Sequence, residues 1–276
     1  YLKFSHIYLR IEDTPGLKLI LEKYKNKITA EYVNTKNSKK EIYKNQYFSL
    51  MKRQKKFFTK MIKKARKDEI EYLLHIDDDE LFFVSDKFRD AIKFFKYVKN
   101  KNPNASQIHF KNYEAIFKKN KKSCFDTDKF IKCKKRKSNS KEPGCKSYIN
   151  GKSAGRITDN SLVFKGPHVI KGDRERFNVN EKNAKILHYD SCSYNKWYDK
   201  FKNLSIKMDD DKKKKIPFVF YKKSLEKLKK CGEDCKKDTY KFWEKIKVDP
   251  YYNKDISEYL FVLSNNKEFN DILKNN

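Results

Sequence analysis

A chain of 276 residues is long enough to bury a sizeable core. Aromatic residues make up 15 % and apolar residues fall in periodic patterns, which argues against a disordered polyelectrolyte. The 67 Lys and Arg against 37 Asp and Glu give a formal net charge of +30, which favours polyanionic partners such as nucleic acid, an anionic membrane or nucleotide phosphates.

The lysines are spread through loops and helix faces alike, so compositional drift takes the larger share of that excess. No apolar run approaches the length of a bilayer-spanning segment. The chain opens at Tyr1, as expected of a piece of something longer, so the lack of a leader carries no weight. Six cysteines (Cys124, Cys133, Cys145, Cys192, Cys231 and Cys235) make an even count, and five lie in lysine-rich, loop-like segments. That fits disulfides and an oxidising compartment such as the secretory-pathway lumen; free thiols in the cytoplasm are the other reading.

The first predicted strand is His6–Ile11. Thr14-Pro15 then starts a helix through Leu17, Leu19, Ile20, Leu21 and Tyr24. Ile28–Val33 reads as a second strand. A long amphipathic helix over about 41–67 follows, with Tyr47, Leu50, Met51, Phe58, Met61, Ile62 and Ala65 at helical spacing. The next strand is Tyr72–Ile76, and a helix carries Phe88, Ala91, Ile92, Phe95 and Val98. This alternation predicts an α/β fold with a largely parallel sheet. Gln107–Phe110 and Ala115–Phe117 read as short strands around a polar link, Lys111–Glu114. Residues 118–146 form a basic, cysteine-containing insertion. Structure resumes near Ser147, with a Gly-containing loop over 150–156, then strands at Leu162–Phe164 and Ala184–Tyr189. From Tyr194 the chain reads as helical, including Ser224–Lys230, Thr239–Lys247 and Ile256–Leu263.

The most informative stretch is Tyr72-Leu-Leu-His75-Ile-Asp77-Asp78-Asp79-Glu80-Leu-Phe-Phe-Val84. Four adjacent carboxylates repel one another and need compensation, and hard divalent cations take carboxylate oxygens. At the carboxyl end of a strand in an open α/β sheet, such a cluster faces the ligand crevice. Asp209-Asp210-Asp211 is the internal control. It follows no strand and runs into Lys212–Lys215, so it reads as a solvated loop.

Asp77-x-Asp79 after an apolar strand resembles the DxD motif of GT-A-type glycosyltransferases. Leu74–Glu80 is close to the hIDxDE pattern of family 92 glycosyltransferases and their family-2-like relatives. The resemblance extends through Arg53-Gln54, Gly166-Pro167-His168 and Leu187-His188-Tyr189, then Trp197 and Lys200, and covers about residues 6–202. It implies a GT-A-like (Rossmann-like), mostly parallel sheet flanked by helices. The catalytic domain would span 1–202, with a helical C-terminal extension over 203–276. It implies transfer of a sugar, with inversion, from a nucleotide-diphosphate donor, UDP-sugars first, to a glycan or protein acceptor, using Mn²⁺ or Mg²⁺.

Alternate residues at a strand end point the same way, so Asp77 and Asp79 form the expected metal pair and Asp78 faces the other side. The family pattern adds a late histidine as a further ligand, His188 first and His168 second. Arg53, Asp77 and Asp78 join the donor-binding set. Lys152 and Arg156, on the Gly-containing loop, and Lys200 match diphosphate oxygens. Glu12 and Asp13 end the first strand, where they contact the donor's base or ribose or, alternatively, favour the next helix N-terminus. Asp79 and the loop carboxylate Asp159 are taken as catalytic; sequence does not separate Asp159 from Asp173. The competing class is a basic nucleic-acid-binding protein without catalysis, although no nucleic-acid-binding motif is present.

Overall fold

The computed structural model describes residues 2–14, 16–35, 46–117, 125, 127–132, 149–207, 216, 219–231, 235–247 and 260–263. The basic insertion over 118–146, with Cys124, Cys133 and Cys145, falls almost wholly outside that set. So do Pro15, Asp209–Lys215, residues 41–45 and 256–259, and the side chain of Tyr47.

In chain order the elements are β1 (Ile7–Glu12), α1 (Leu17–Glu22), β2 (Ile28–Val33), α2 (Gln46–Lys67), β3 (Tyr72–Leu74) and β4 (Glu80–Val84). Then come α3 (Ala91–Lys101), β5 (Ala105–Phe110), β6 (Asn112–Ala115), β7 (Lys129–Lys132), β8 (Lys152–Arg156), β9 (Val163–Gly166) and β10 (Val169–Lys171). The last of the described elements are β11 (Glu175–Asn178), β12 (Ala184–His188), α4 (Tyr194–Lys207), α5 (Val219–Lys229), α6 (Lys236–Lys247) and β13 (Leu260–Val262). The protein is α/β, and it divides into two compact units.

The first unit comprises Tyr1–Ile76, Val84–Phe110 and Lys152–Ala184. Its strands β1 and β2 pair in parallel, from Ile7↔Ile28 to Glu12↔Val33. Helix α2 buries Phe58, Met61, Ile62 and Ala65, the i, i+3, i+4, i+7 stripe of a one-faced helix. This stripe packs with Leu73, Ile157, Leu162, Phe164 and Ile170, and the Phe58 and Phe164 rings stack at 4.6 Å. A four-stranded sheet runs β11-β5-β8-β3.

The 150–156 loop of the sequence reading is strand β8 from Lys152 onward, antiparallel to both β5 and β3. Glycine misled there. A Cβ at Gly155 would meet Leu162 Cδ1 at 3.0 Å and Ile170 Cγ2 at 3.1 Å, so this glycine serves close packing over a strand. Among the described residues, the glycine with left-handed backbone is Gly151, at φ 63°.

The second unit comprises Asp77–Phe83, Lys111–Gly151 and Lys185–Asn276. Its five-stranded sheet runs β13-β7-β6-β12-β4. Strand β6 is buried throughout, although three of its four residues, Asn112–Glu114, fall in the expected polar link Lys111–Glu114. Its polar side chains have partners: Asn112 Oδ1 accepts from the Gly151 N–H at 3.2 Å, and Glu114 meets His188. Buried polar groups are tolerated when satisfied. Trp197, Phe201, Phe220, Leu225 and Leu228 are buried on helices α4 and α5, and the Trp197 indole N–H donates to Ser224 Oγ at 3.1 Å. A disulfide joins Cys231 to Cys235 between α5 and α6, and Cys192 is also disulfide-bonded. The expected helix at Ile256–Leu263 is instead strand β13 over its described part, antiparallel to β7; short apolar runs do not separate helix from strand.

The sheets are mixed rather than mostly parallel. Pairs β1–β2, β11–β5 and β12–β6 are parallel, while β3–β8, β5–β8, β6–β7, β7–β13 and β9–β10 are antiparallel. The strand–helix–strand alternation ends at β5; after it β9 and β10 are joined by Pro167 and His168 alone, a link too short for a parallel crossover.

Candidate functional site

In the second unit, Asp77–Asp79 form a turn that enters β4. The Glu80 N–H donates to the Asp77 carbonyl at 3.2 Å, and Glu80 Oε2 accepts from the Asp77 N–H at 2.8 Å. Glu80 is therefore the buried brace of the turn, while Asp77 and Asp79 are half-buried and Asp78 is exposed. Asp78 is exposed as a residue, yet its carboxyl sits above the ordinary carboxylate range. Partial desolvation contributes most, followed by Asp79 and Asp77. Such mutual repulsion is relieved by a cation.

Strand β12 brings His188 to this turn, fastened by the Tyr189 N–H donating to the Asp79 carbonyl at 2.8 Å. His188 Nδ1 lies 2.6 Å from Glu114 Oε1, and its Nε2 lies 3.6 Å from Asp79 Oδ2. A carboxylate only accepts, so Nδ1 carries a proton and Nε2 is the atom turned to Asp79. Burial pulls the imidazolium pKa down, but Glu114 and Asp79 outweigh it and hold His188 well above its usual value.

The geometry also suits a divalent ion. Two donors 3.6 Å apart can each stand about 2.1 Å from one cation, with Glu114 orienting the imidazole from behind. Among the described residues no group of three or more His, Cys, Asp or Glu side chains converges to hold an ion alone. What stands ready is the two-donor edge Asp79–His188, with Asp77 and Asp78 in the same turn.

A second charged cluster follows directly. Asp190, 1 % exposed, lies 3.2 Å from Lys200 Nζ through Oδ1 and 3.2 Å from Lys247 Nζ through Oδ2. Lys200 also donates to Tyr221 Oη at 2.9 Å. Burial alone would lower the Lys200 pKa; Asp190 and then Tyr221 reverse this and hold it well above the usual lysine value. Lys200 and Asp79 act on one another as charges, so this ammonium belongs to the electrostatics of the acidic turn.

The remaining predicted residues lie in the first unit. Glu12 is clamped between Arg10 Nε at 2.7 Å and Arg53 Nε at 2.9 Å. Arg53 also bonds Ser49 Oγ. Asp13 adopts φ 55°, and its carboxylate accepts from both the Thr35 N–H and the Thr35 hydroxyl. It ties the end of β1 to the chain just past β2 and caps no helix, since Gly16 is the N-cap of α1. Lys152 is fully buried on β8, in register with Phe110. Arg156 ends that strand and donates to the Pro103 carbonyl at 2.6 Å. The His168 carbonyl accepts from Ser153 Oγ at 3.0 Å. Asp159 accepts from Ser161 through both N–H, at 2.9 Å, and hydroxyl, at 2.6 Å.

Thus Asp77, Asp78, Asp79, His188 and Lys200 share the second unit, and Glu12 and Arg53 meet in the first. Glu114, Asp190 and Lys247 were missed by sequence reading. For Glu114 a signal existed, since Asn112 and Glu114 occupy alternate positions of one short strand. For Lys247, one lysine among many, none did. No protein-family model matches the chain, and no curated protein matches it.

Proposed function

We propose that this chain is a metal-dependent glycosyltransferase with a GT-A-like site, moving a sugar from a nucleotide-diphosphate donor, a UDP-sugar first, to a glycan or protein acceptor. The observation that carries the reading is the Asp79–His188 edge, with His188 Nε2 presented to Asp79 at 3.6 Å and its Nδ1 held by Glu114 at 2.6 Å. A two-donor protein edge suits Mn²⁺ or Mg²⁺ bound together with phosphate oxygens and water, because such ions are commonly held by one or two carboxylates plus the substrate's phosphates. When bound, the ion would stabilise the negative charge that develops on the departing nucleoside diphosphate.

The chain's own residues supply the rest. Asp77 and Asp79 face the ion and Glu80 keeps their turn in shape. Lys200 adds a second positive charge for the diphosphate, held in place by Asp190 and Tyr221. Asp159 is engaged by Ser161, so we assign it to holding its loop and leave the acceptor's base unassigned. The disulfides favour an oxidising, luminal setting.

The test is hydrolysis of, and transfer from, a panel of UDP-sugars with Mn²⁺, comparing wild type with the Asp77→Ala, Asp79→Ala double variant. The expected loss is at least about 10³-fold. Equal activity in the two proteins sinks the reading. Tight, salt-steep oligonucleotide binding unaffected by the double variant, with no donor turnover, would favour the nucleic-acid-binding alternative.

A further inference from the structure

Helix α1 stands apart from the other helices of the first unit. Helix α2 buries a full apolar stripe, and α3 buries Ala91, Phe94, Phe95 and Val98. None of the six residues of α1 is buried. Leu19 is 81 % exposed, Ile20 55 % and Tyr24 54 %, and Leu17 is exposed as well. The patch continues past the helix. The Lys27 N–H donates to the Tyr24 carbonyl at 2.8 Å, and the Lys27 carbonyl accepts from the N–H of Ile7, itself 44 % exposed. Exposed aliphatic side chains scattered singly are ordinary; a run of them on one short segment marks an interaction surface.

Charge selects the partner. Lys18, Lys23, Lys25 and Lys27 are all exposed within this segment, against Glu22 alone, which pairs with Lys25 at 3.3 Å. A second copy of the same face would oppose lysines with lysines, which disfavours self-association. Single-stranded nucleic acid calls for aromatic stacking platforms, whereas the most exposed tips here are aliphatic. Aliphatic tips ringed by lysines match the boundary of an anionic bilayer. Leucine and isoleucine enter the acyl region, tyrosine sits at headgroup depth, and lysine stems run back to the phosphates.

We infer that the segment Leu17–Lys27 is a docking element for an anionic lipid surface, with Leu19 and Ile20 as its inserting tip. The element is peripheral, since no helix among the described residues is long and apolar enough to cross a membrane.

The experiment is co-sedimentation of the full chain with phosphatidylcholine vesicles, with and without about one quarter phosphatidylserine. Wild type should partition at least about tenfold more strongly to the phosphatidylserine vesicles. Both Leu19→Glu, Ile20→Glu and Lys18→Glu, Lys23→Glu should lower that binding by about tenfold or more. All four side chains are exposed, so the melting temperature should hold. Leu19→Ser alone, at the most exposed tip, keeps the question answerable if an acidic pair disturbs folding, and should weaken binding in the same direction. No preference for the anionic vesicles overturns the inference. Binding that survives the Leu19 and Ile20 changes also overturns it, because the diffuse +30 charge would then suffice. Displacement by oligonucleotide that depends on the lysines and ignores Leu19 and Ile20 assigns the surface to nucleic acid instead. Donor hydrolysis in solution is a separate readout, so failure here leaves the glycosyltransferase reading standing.

Discussion

Glu114 and His188 stand opposite one another in the register of parallel strands β6 and β12, and their side chains meet at 2.6 Å. Both are buried, so neither can exchange its partner for water. Glu114→Gln keeps the shape but no longer supplies a charged acceptor for Nδ1–H. On the proposed metal site, titration calorimetry should show Mn²⁺ affinity falling about 10- to 100-fold, with the fold retained. Glu114→Ala leaves a buried imidazole N–H unsatisfied and should cost about 1–3 kcal/mol in urea denaturation.

Asp190 is the carboxylate that two ammonium groups share, and this sets an order among variants. Asp190→Asn leaves the buried Lys247 without its counterion and the partly exposed Lys200 with Tyr221 alone, and should destabilise by about 3–5 kcal/mol, chiefly through Lys247. Lys247→Met leaves Asp190 still paired with Lys200 and should cost clearly less. The double variant should fall short of the sum of the two, because each change removes part of the same contact. Denaturant midpoints for the three proteins check the order; equal costs for the two single changes would refute it.

Acid should unfold the chain partly through Asp159. Burial pushes its carboxyl up, but the Ser161 hydroxyl and N–H, with the Ser106 hydroxyl, outweigh that and hold it below the usual carboxylate range. A depressed folded pKa means that its stabilisation is present above the unfolded value, about 3.9, and is lost as pH falls through the folded value. The stability difference between wild type and Asp159→Asn should therefore be flat near neutrality and shrink below about pH 4. Stability curves for both proteins across that window give the comparison.

Two glycines make opposite predictions. A Cβ at Gly172 would lie 2.5 Å from Asp159 Oδ2 and 2.6 Å from Ser106 Oγ, so Gly172→Ala must displace that pair and should cost about 1–3 kcal/mol. Gly16 has nothing within 4 Å of such a Cβ and already sits at φ −62°, ψ −21°. Gly16→Ala should raise stability by about 0.4–1 kcal/mol through the unfolded chain. Thermal melts of the two variants should move in opposite directions.

Elements carried by local periodicity were legible in the sequence. Strand β2 occupies the predicted Ile28–Val33, and the α2 stripe falls on the predicted Phe58, Met61, Ile62 and Ala65. Features that depend on a distant partner were not. Glu114 is tolerable inside a sheet only because His188, far along the chain, arrives beside it. Lys152 reads as a loop cation until its neighbour Gly155 is seen packing under Leu162 and Ile170. Asp79 and His188 could each be picked out alone; their 3.6 Å approach rests on a strand pairing that no local pattern encodes.

The order of β4 and β12 along the chain has a consequence for the nascent protein. Strand β4, with Phe82, Phe83 and Val84 buried, is an edge strand whose sheet neighbour is β12. On the ribosome, Glu80–Val84 emerges long before Ala184–His188 has been made. Throughout that interval an apolar strand and its acidic turn wait without a template, open to pairing with other chains. Charges flanking an apolar strand oppose such pairing, and Asp77, Asp78, Asp79 and Glu80 stand at the leading end of this one.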